Sequence, residues 1–285
     1  PEEVKFIVEH SGARVLYIDP ELTSLIDEVS AEHTFVLGED EHLFGAGADG
    51  TPAEPRAWEP DEDAVATINY TSGTTARPKG VRITHRNIWT NAATFGLHAG
   101  ISDRDVYLHT LPMFHANAWG FPYVAMVSGN SLVMPDRFLQ PEPLAAMIAS
   151  ERPTLAAAVP TIWQALLVHL EEHPVDLSSL REVLVGGSAC PPSLIRAFRE
   201  KYGVPISQAW GMTETSPLGT SGRPDAGLSP EDEFDRRCTQ GRFVAGVRAR
   251  LVDDAVAYAL TGRRPTPVAA TIRTGVRSAI RWIRG

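Results

Sequence analysis

Two kinds of apolar run alternate along the chain. Arg14–Asp19 and Thr34–Gly38 have the length and β-branched content of strands, and they flank a helical pattern over Glu21–Ser30. Val65–Tyr70 reads as a strand, and Thr84–Gly100 as a helix whose first residue could cap it. Further strands are expected at Asp105–Leu111, Asn130–Met134, Leu155–Val159, Glu182–Val185 and Pro205–Ala209. Between them, Pro141–Arg152, Thr161–His169 and Pro191–Tyr202 carry helical spacing, the last opened by two prolines. Strands separated by helix-length segments predict βαβ units, hence an α/β fold of mostly parallel sheets flanked by helices. No internal repeat is visible.

Two segments break the pattern. Glu39–Asp63 is acidic, rich in Gly and Pro and without periodicity, so it reads as a loop. Leu111–Pro135 carries no Asp, Glu, Lys or Arg. Its length would suit a membrane helix. Pro112, His115, Asn117, Gly120, Pro122, Gly129 and Asn130 interrupt it, which favours a helix and a strand buried inside the α/β domain and no transmembrane segment.

Composition narrows the function classes. Of 285 residues, 43% are hydrophobic and 21% charged, as in ordinary globular proteins. A formal charge of −9 offers no general attraction to nucleic acid. Cys190 and Cys238 are too few for a disulfide framework, and no basic-then-apolar leader opens the chain, so the expected compartment is the cytoplasm.

The candidate chemistry starts after the Val65–Tyr70 strand, at Tyr70-Thr-Ser-Gly-Thr-Thr-Ala-Arg-Pro-Lys79-Gly80. Gly73 and Gly80 let the backbone approach an anion. Thr71, Ser72, Thr74 and Thr75 supply hydroxyl donors, and Lys79 a full positive charge. It is a phosphate cradle without the Gly-Lys-Ser/Thr order of a Walker loop. Gln208-Ala-Trp-Gly-Met-Thr-Glu-Thr215 also follows a strand; its Trp suits a base, and its hydroxyl and carboxylate suit a metal–phosphate complex. Val185-Gly-Gly-Ser-Ala189 is a strand-to-helix turn with little side chain to hinder a planar ligand. Leu111-Pro-Met-Phe-His115 places one histidine in the uncharged stretch.

Together these motifs resemble the AMP-forming acyl-adenylating superfamily, which includes acyl-CoA ligases, luciferases and peptide-synthetase adenylation domains. The family's phosphate signature usually has Gly where this chain has Ala76. The resemblance implies that Thr71, Ser72, Gly73, Thr74, Thr75 and Lys79 grip the ATP phosphates. It implies that Gly187, Ser188 and Ala189, with Gln208, Trp210 and Gly211, form the adenine pocket. By the same resemblance Thr213 contacts the α-phosphate, Glu214 holds Mg²⁺, and His115 stands where the acid and ATP sites meet. Adenylation domains for amino acids tend to carry Phe-Asp where this chain has Phe114-His115, which disfavours an amino-acid substrate.

The implied reaction is ATP-dependent activation of a carboxylic acid, fatty or otherwise apolar, to acyl-AMP and then acyl-CoA. An acyl-AMP ligase that serves a carrier protein, or a non-catalytic ATP-binding remnant, are the alternatives. The resemblance covers residues 1–254 and reads as a partial adenylation domain from the large domain of such a ligase. Its small C-terminal domain has no counterpart here, so reduced activity is expected. Residues 255–285 carry six arginines and no Asp, Glu or Lys. Ile272, Val276, Ile280 and Ile283 fall at helical spacing there, so this tail reads either as foreign, frame-shifted sequence or as a basic helix for peripheral membrane contact.

Overall fold

The computed structural model describes residues 2–39, 61–72, 77–247, 249–252 and 279–282. The chain divides into two compact units, residues 1–86 and 87–285.

In the first unit, helix α1 (Glu2–Ser11) leads into the parallel pair β1 (Val15–Ile18) and β2 (His33–Val36). The helix expected over Glu21–Ser30 is instead a short 3-10 turn, Pro20–Leu25. Asp19 caps it by accepting the Glu21 amide at 2.9 Å, and the Thr23 hydroxyl bonds back to the Pro20 carbonyl at 3.1 Å. Such local side-chain bonds compete with a regular helix and leave tight i→i+3 closure. Strands β3 (Val65–Thr71) and β4 (Lys79–Thr84) form an antiparallel hairpin. The β4 strand was not expected, yet Val81 and Ile83 alternate with Gly80 and Arg82, and Ile83 is buried. Most of the expected Glu39–Asp63 loop lies outside the described residues.

The second unit is built on a seven-stranded sheet in the order β11-β10-β9-β8-β7-β5-β6. Its strands are β5 (Val106–His109), β6 (Ser131–Val133), β7 (Leu155–Ala158), β8 (Glu182–Val185), β9 (Ile206–Gly211), β10 (Leu218–Ser221) and β11 (Arg242–Phe243). The pairs β5–β6, β5–β7, β7–β8 and β8–β9 are parallel, and β10 and β11 continue antiparallel. This is the mostly parallel α/β architecture that the sequence pattern implies.

Side chains alternate between two cores. One side of the sheet carries Leu108, Ala156, Ala158, Val183, Val185 and Ile206 against helices α5 (Pro141–Glu151), α6 (Pro160–Glu172) and α7 (Pro192–Tyr202). The other carries Tyr107, Leu155, Ala157, Leu184 and Ala209 against α2 (His85–Ala99) and α4 (Phe121–Ser128). The near-continuous apolar runs Leu155–Ala158 and Val183–Val185 are therefore covered on both faces, as parallel strands require. The uncharged stretch 111–135 holds α4 and β6, the helix and strand expected of it. Among the described residues no helix is long and apolar enough to cross a membrane.

Asp105 pins the amino ends of the strands. It accepts the Ser102 amide at 2.9 Å, the Thr154 hydroxyl at 2.7 Å and the Arg181 guanidinium at 2.9 Å, tying together the starts of β5, β7 and β8. At the far end of the chain, Ala279–Trp282 form strand β13, antiparallel to β12 (Ala249–Val252). That corrects the helical reading for these four residues. Ala-Ile-Arg-Trp also has period two, and the β-branched and aromatic residues suit a strand. The rest of the tail, 253–278 and 283–285, lies outside the described residues.

Candidate functional site

Three connections leave the carboxyl ends of β5, β8 and β9, where open α/β sheets place their ligands. The first candidate turn leaves β8. Gly187 has φ +79°, a left-handed conformation that glycine adopts without strain. Gly187, Ser188 and Ala189 are exposed, so this turn presents backbone outward. Its far end is anchored: the buried Cys190 donates its amide to the Gln208 side-chain oxygen at 2.9 Å. The same oxygen accepts from Gln240 at 2.9 Å, and the Gln208 side-chain nitrogen donates to the Arg237 carbonyl at 3.2 Å. Gln208 is 2% exposed. Its side chain is thus directed into the protein, as a strut between the turn and helix α8 (Pro230–Arg237), rather than outward with Gly187–Ala189.

The connection after β5 carries His115 and Trp119. His115 is exposed and stands immediately before a left-handed helical turn, α3 (Ala116–Trp119). Ala116, Asn117, Ala118 and Trp119 have φ between 48° and 57°. A left-handed turn of L-residues costs about 1–2 kcal/mol per residue and persists where the surroundings enforce it, often at functional sites. Here the turn lays the Trp119 ring on the β8 turn. A methyl group at Gly186 would stand 2.8 Å from Trp119 Cη2 and 2.9 Å from the Ala209 carbonyl, so only glycine fits beneath the indole.

At the end of β9, Trp210 is partly buried and its ring covers Gly219. The chain then folds back through a 3-10 turn, Thr213–Thr215, closed by the Met212 amide on the Pro217 carbonyl at 3.0 Å and on the Thr215 hydroxyl at 3.0 Å. Thr213 is buried, whereas Glu214 is exposed and pairs with no cation among the described residues. No cluster of three or more His, Cys, Asp or Glu side chains suited to a metal occurs among the described residues. A lone free carboxylate beside a hydroxyl fits Mg²⁺ that arrives on ATP phosphates, because that ion takes one or two carboxylates and keeps its remaining oxygens from phosphate and water.

In the first unit, Thr71 and Lys79 are cross-strand partners at the loop end of the β3–β4 hairpin. Ser72 follows Thr71, and Ser72 and Lys79 are exposed. Gly80 packs under Tyr70 and Ile68; an added methyl would lie 2.9 Å from Ile68 Cγ2. Gly73, Thr74 and Thr75 lie outside the described residues.

The second unit thus brings together the β8 turn, the Trp119 segment and the end of β9, while Thr71, Ser72 and Lys79 belong to the hairpin of the first. Sequence reasoning gives Trp119 no role and reads Gly186 only as part of the turn that receives a planar ligand, not as the seat of an indole. The signal available was an aromatic residue four places after His115 and a second glycine beside Gly187. The thiol of Cys190, next to the turn, is pushed up to about 12 by burial and by nearby Cys238, which makes it inert as a nucleophile.

A family model described as AMP-binding enzyme matches residues 1–262. A 3-methylmercaptopropionyl-CoA ligase from Ruegeria pomeroyi is 38% identical over 276 residues, covering 89% of this chain and 51% of the relative. A medium-chain-fatty-acid–CoA ligase from Ectopseudomonas oleovorans is 37% identical over 278 residues, covering 89% and 50%. The crystal structure of the anthranilate CoA ligase AuaEII in complex with anthranoyl-AMP superimposes with a TM-score of 0.76 at 26% identity, over 90% of this chain and 49% of that one. The chain spans about half the length of the curated relatives it matches. On the match over residues 1–262, the chain belongs to the AMP-binding enzyme family.

Proposed function

We propose that this chain provides the nucleotide and acid sites for ATP-dependent activation of an apolar carboxylic acid, for transfer to coenzyme A. The substrate carboxylate oxygen attacks the α-phosphorus of ATP and the bond to pyrophosphate breaks, giving acyl-AMP. The coenzyme A thiol then attacks the acyl carbonyl, gives up its proton and expels AMP. The observation that carries this reading is the convergence of Gly186–Ala189, His115–Trp119 and Trp210–Glu214 at the carboxyl ends of the parallel strands.

In this reading the exposed backbone of Gly187, Ser188 and Ala189 and the ring of Trp210 receive the adenine, with Gly211 leaving room for the Pro217 carbonyl that folds the chain back. Thr213 bonds the α-phosphate, and Thr71, Ser72, Gly73, Thr74, Thr75 and Lys79 hold the outer phosphates. Mg²⁺ carried by ATP neutralises phosphate charge, and Glu214 is the residue that would hold it. His115 and Trp119 border the acid, and catalysis is mainly placement and electrostatic stabilisation. Names of the relatives support coenzyme A as the acceptor and a fatty or thioether acid as the substrate class.

The test is calorimetric titration of the chain with AMP and with a non-hydrolysable acyl-sulfamoyl adenosine. Tighter binding of the acyl analogue than of AMP is expected. Equal affinity for the analogue and for AMP would remove the acid site from the proposal.

A further inference from the structure

Tyr107 and His109 are two residues apart on β5 and point to the same face of the sheet, the one covered by α2 and α4. Their rings meet edge to face at 5.6 Å. Tyr107 is 0% exposed and His109 3% exposed. Among the described residues, neither the Tyr107 hydroxyl nor either ring nitrogen of His109 has a hydrogen-bond partner. Three unpaired polar atoms in one buried spot are a standing cost, and native interiors rarely leave such groups without a partner. Phenylalanine and leucine would fill the same space in an apolar core without that cost.

Their position says what the partner is. His109 is in register with Ala157 on β7, and Ala157 with Leu184 on β8. Two residues beyond Leu184, on the same face, lies Gly186 with the Trp119 ring on it. Tyr107 stacks on Phe121 at 4.0 Å and 10°, and Phe121 follows Trp119 by two residues. The polar pair therefore sits under the same segment as the acid-binding end, about 12 Å from Gly186 by two strand spacings and one pleat repeat. Only the small side chain of Ala157 separates His109 from Leu184 in that row.

We propose that Tyr107 and His109 form the polar end of the acid site and select acids of medium length that carry a neutral hydrogen-bonding group, such as a hydroxyl, at the far end. This rests on the acid-activation reading above. Burial pushes the His109 imidazole below its usual range and the Tyr107 phenol well above its own, so both groups are neutral near pH 7. A neutral imidazole offers one donor and one acceptor, and the phenol offers both, so a distal hydroxyl can give and accept at once. A charged end group would face two neutral partners, and an alkyl end would leave all three atoms unpaired.

The experiment is calorimetric titration of the chain with two isosteric probes, nonanoyl- and ω-hydroxyoctanoyl-sulfamoyl adenosine. The hydroxy probe is expected to bind about tenfold more tightly, the worth of one or two well-made hydrogen bonds. His109→Leu and Tyr107→Phe should each shrink that preference and together abolish it. Thermal melting of both variants should stay level or rise, because unpaired polar atoms are removed. Equal affinity for the two probes would overturn the inference and leave the proposed function standing. So would a preference that survives both substitutions, or a lower melting temperature in His109→Leu with the preference intact, which marks a structural water. Failure of either probe to bind more tightly than AMP would overturn the acid-activation reading and this inference with it.

Discussion

The amide of Cys190 and the side-chain oxygen of Gln208 are joined at 2.9 Å, so the exposed Gly187–Ala189 turn hangs from a buried amide on the neighbouring strand. Gln208→Leu keeps the volume and deletes the strut. It leaves the Cys190 N–H, the Arg237 carbonyl and the Gln240 amide without this partner. A loss of about 2–4 kcal/mol is expected, since each buried group left unpaired costs about 1–3 kcal/mol and partial relaxation recovers some of it. Urea unfolding measures this. A loss below about 0.5 kcal/mol would mean that the turn is held by other contacts. If the turn also receives adenine, affinity for AMP should fall under conditions where the variant is still fully folded.

Lys79 begins β4 opposite Thr71, with its side chain exposed. Removing it with Lys79→Ala deletes a charge but little packing, so stability should change by less than about 0.5 kcal/mol. If the lysine grips phosphate, ATP affinity should fall about tenfold or more, the worth of a charge-assisted bond. Affinity for adenosine should be unchanged. Calorimetry with the two ligands separates these outcomes, and equal ATP affinity in variant and parent would exclude Lys79 from the cradle.

How far the sequence could be read follows from which contacts are local. The parallel sheet was legible because Leu155–Ala158 and Glu182–Val185 are apolar runs of strand length between helix-length segments, a pattern that needs no tertiary partner to recognise. The 3-10 turn at Pro20–Leu25 reads as a helix in the sequence because its leucines have helical spacing, while in the fold Asp19 and Thr23 satisfy the backbone another way. Strand β4 begins in the last two residues of a motif whose hydroxyls and lysine draw attention to chemistry. Gln208 groups with the ligand-binding residues in the sequence because it adjoins Trp210. Its hydrogen-bond partners, Cys190, Arg237 and Gln240, are all 18 or more residues away, and no local pattern announces them. Trp119 on Gly186 is the same case: the contact exists only once a left-handed turn aims the indole across the sheet end.

Glu214 is exposed at the turn after β9, beside the buried Thr213. If it meets Mg²⁺ on bound ATP, the chain should bind ATP more tightly with Mg²⁺ than with a chelator present. Glu214→Gln keeps the shape and removes the charge, and it should narrow that difference. An ordinary surface carboxylate predicts an unaltered Mg²⁺ dependence, with less than about 1 kcal/mol of stability at stake. A Mg²⁺ titration of ATP affinity in both proteins decides between them.

Asp105 supplies a pH-dependent share of the stability of the second unit. Burial alone would raise its carboxyl. The hydrogen bonds from Arg181, Thr154 and the Ser102 amide outweigh that and hold it at about 2. The side chain is 7% exposed, so solvent screening is slight. A carboxylate whose folded pKa lies below its unfolded value of about 3.9 stabilises the fold fully above that value and loses the contribution as pH falls toward the folded one. The window is therefore pH 4 down to about 2, and the increment is on the order of 2 kcal/mol. Asp105→Asn removes the titrating group while keeping part of the hydrogen bonding. The difference in unfolding free energy between parent and variant should be constant from pH 7 to about pH 5 and shrink between pH 4 and 2. A difference that stays flat through that interval would show that Asp105 carries no linked proton, and that the starts of β5, β7 and β8 are held by packing alone.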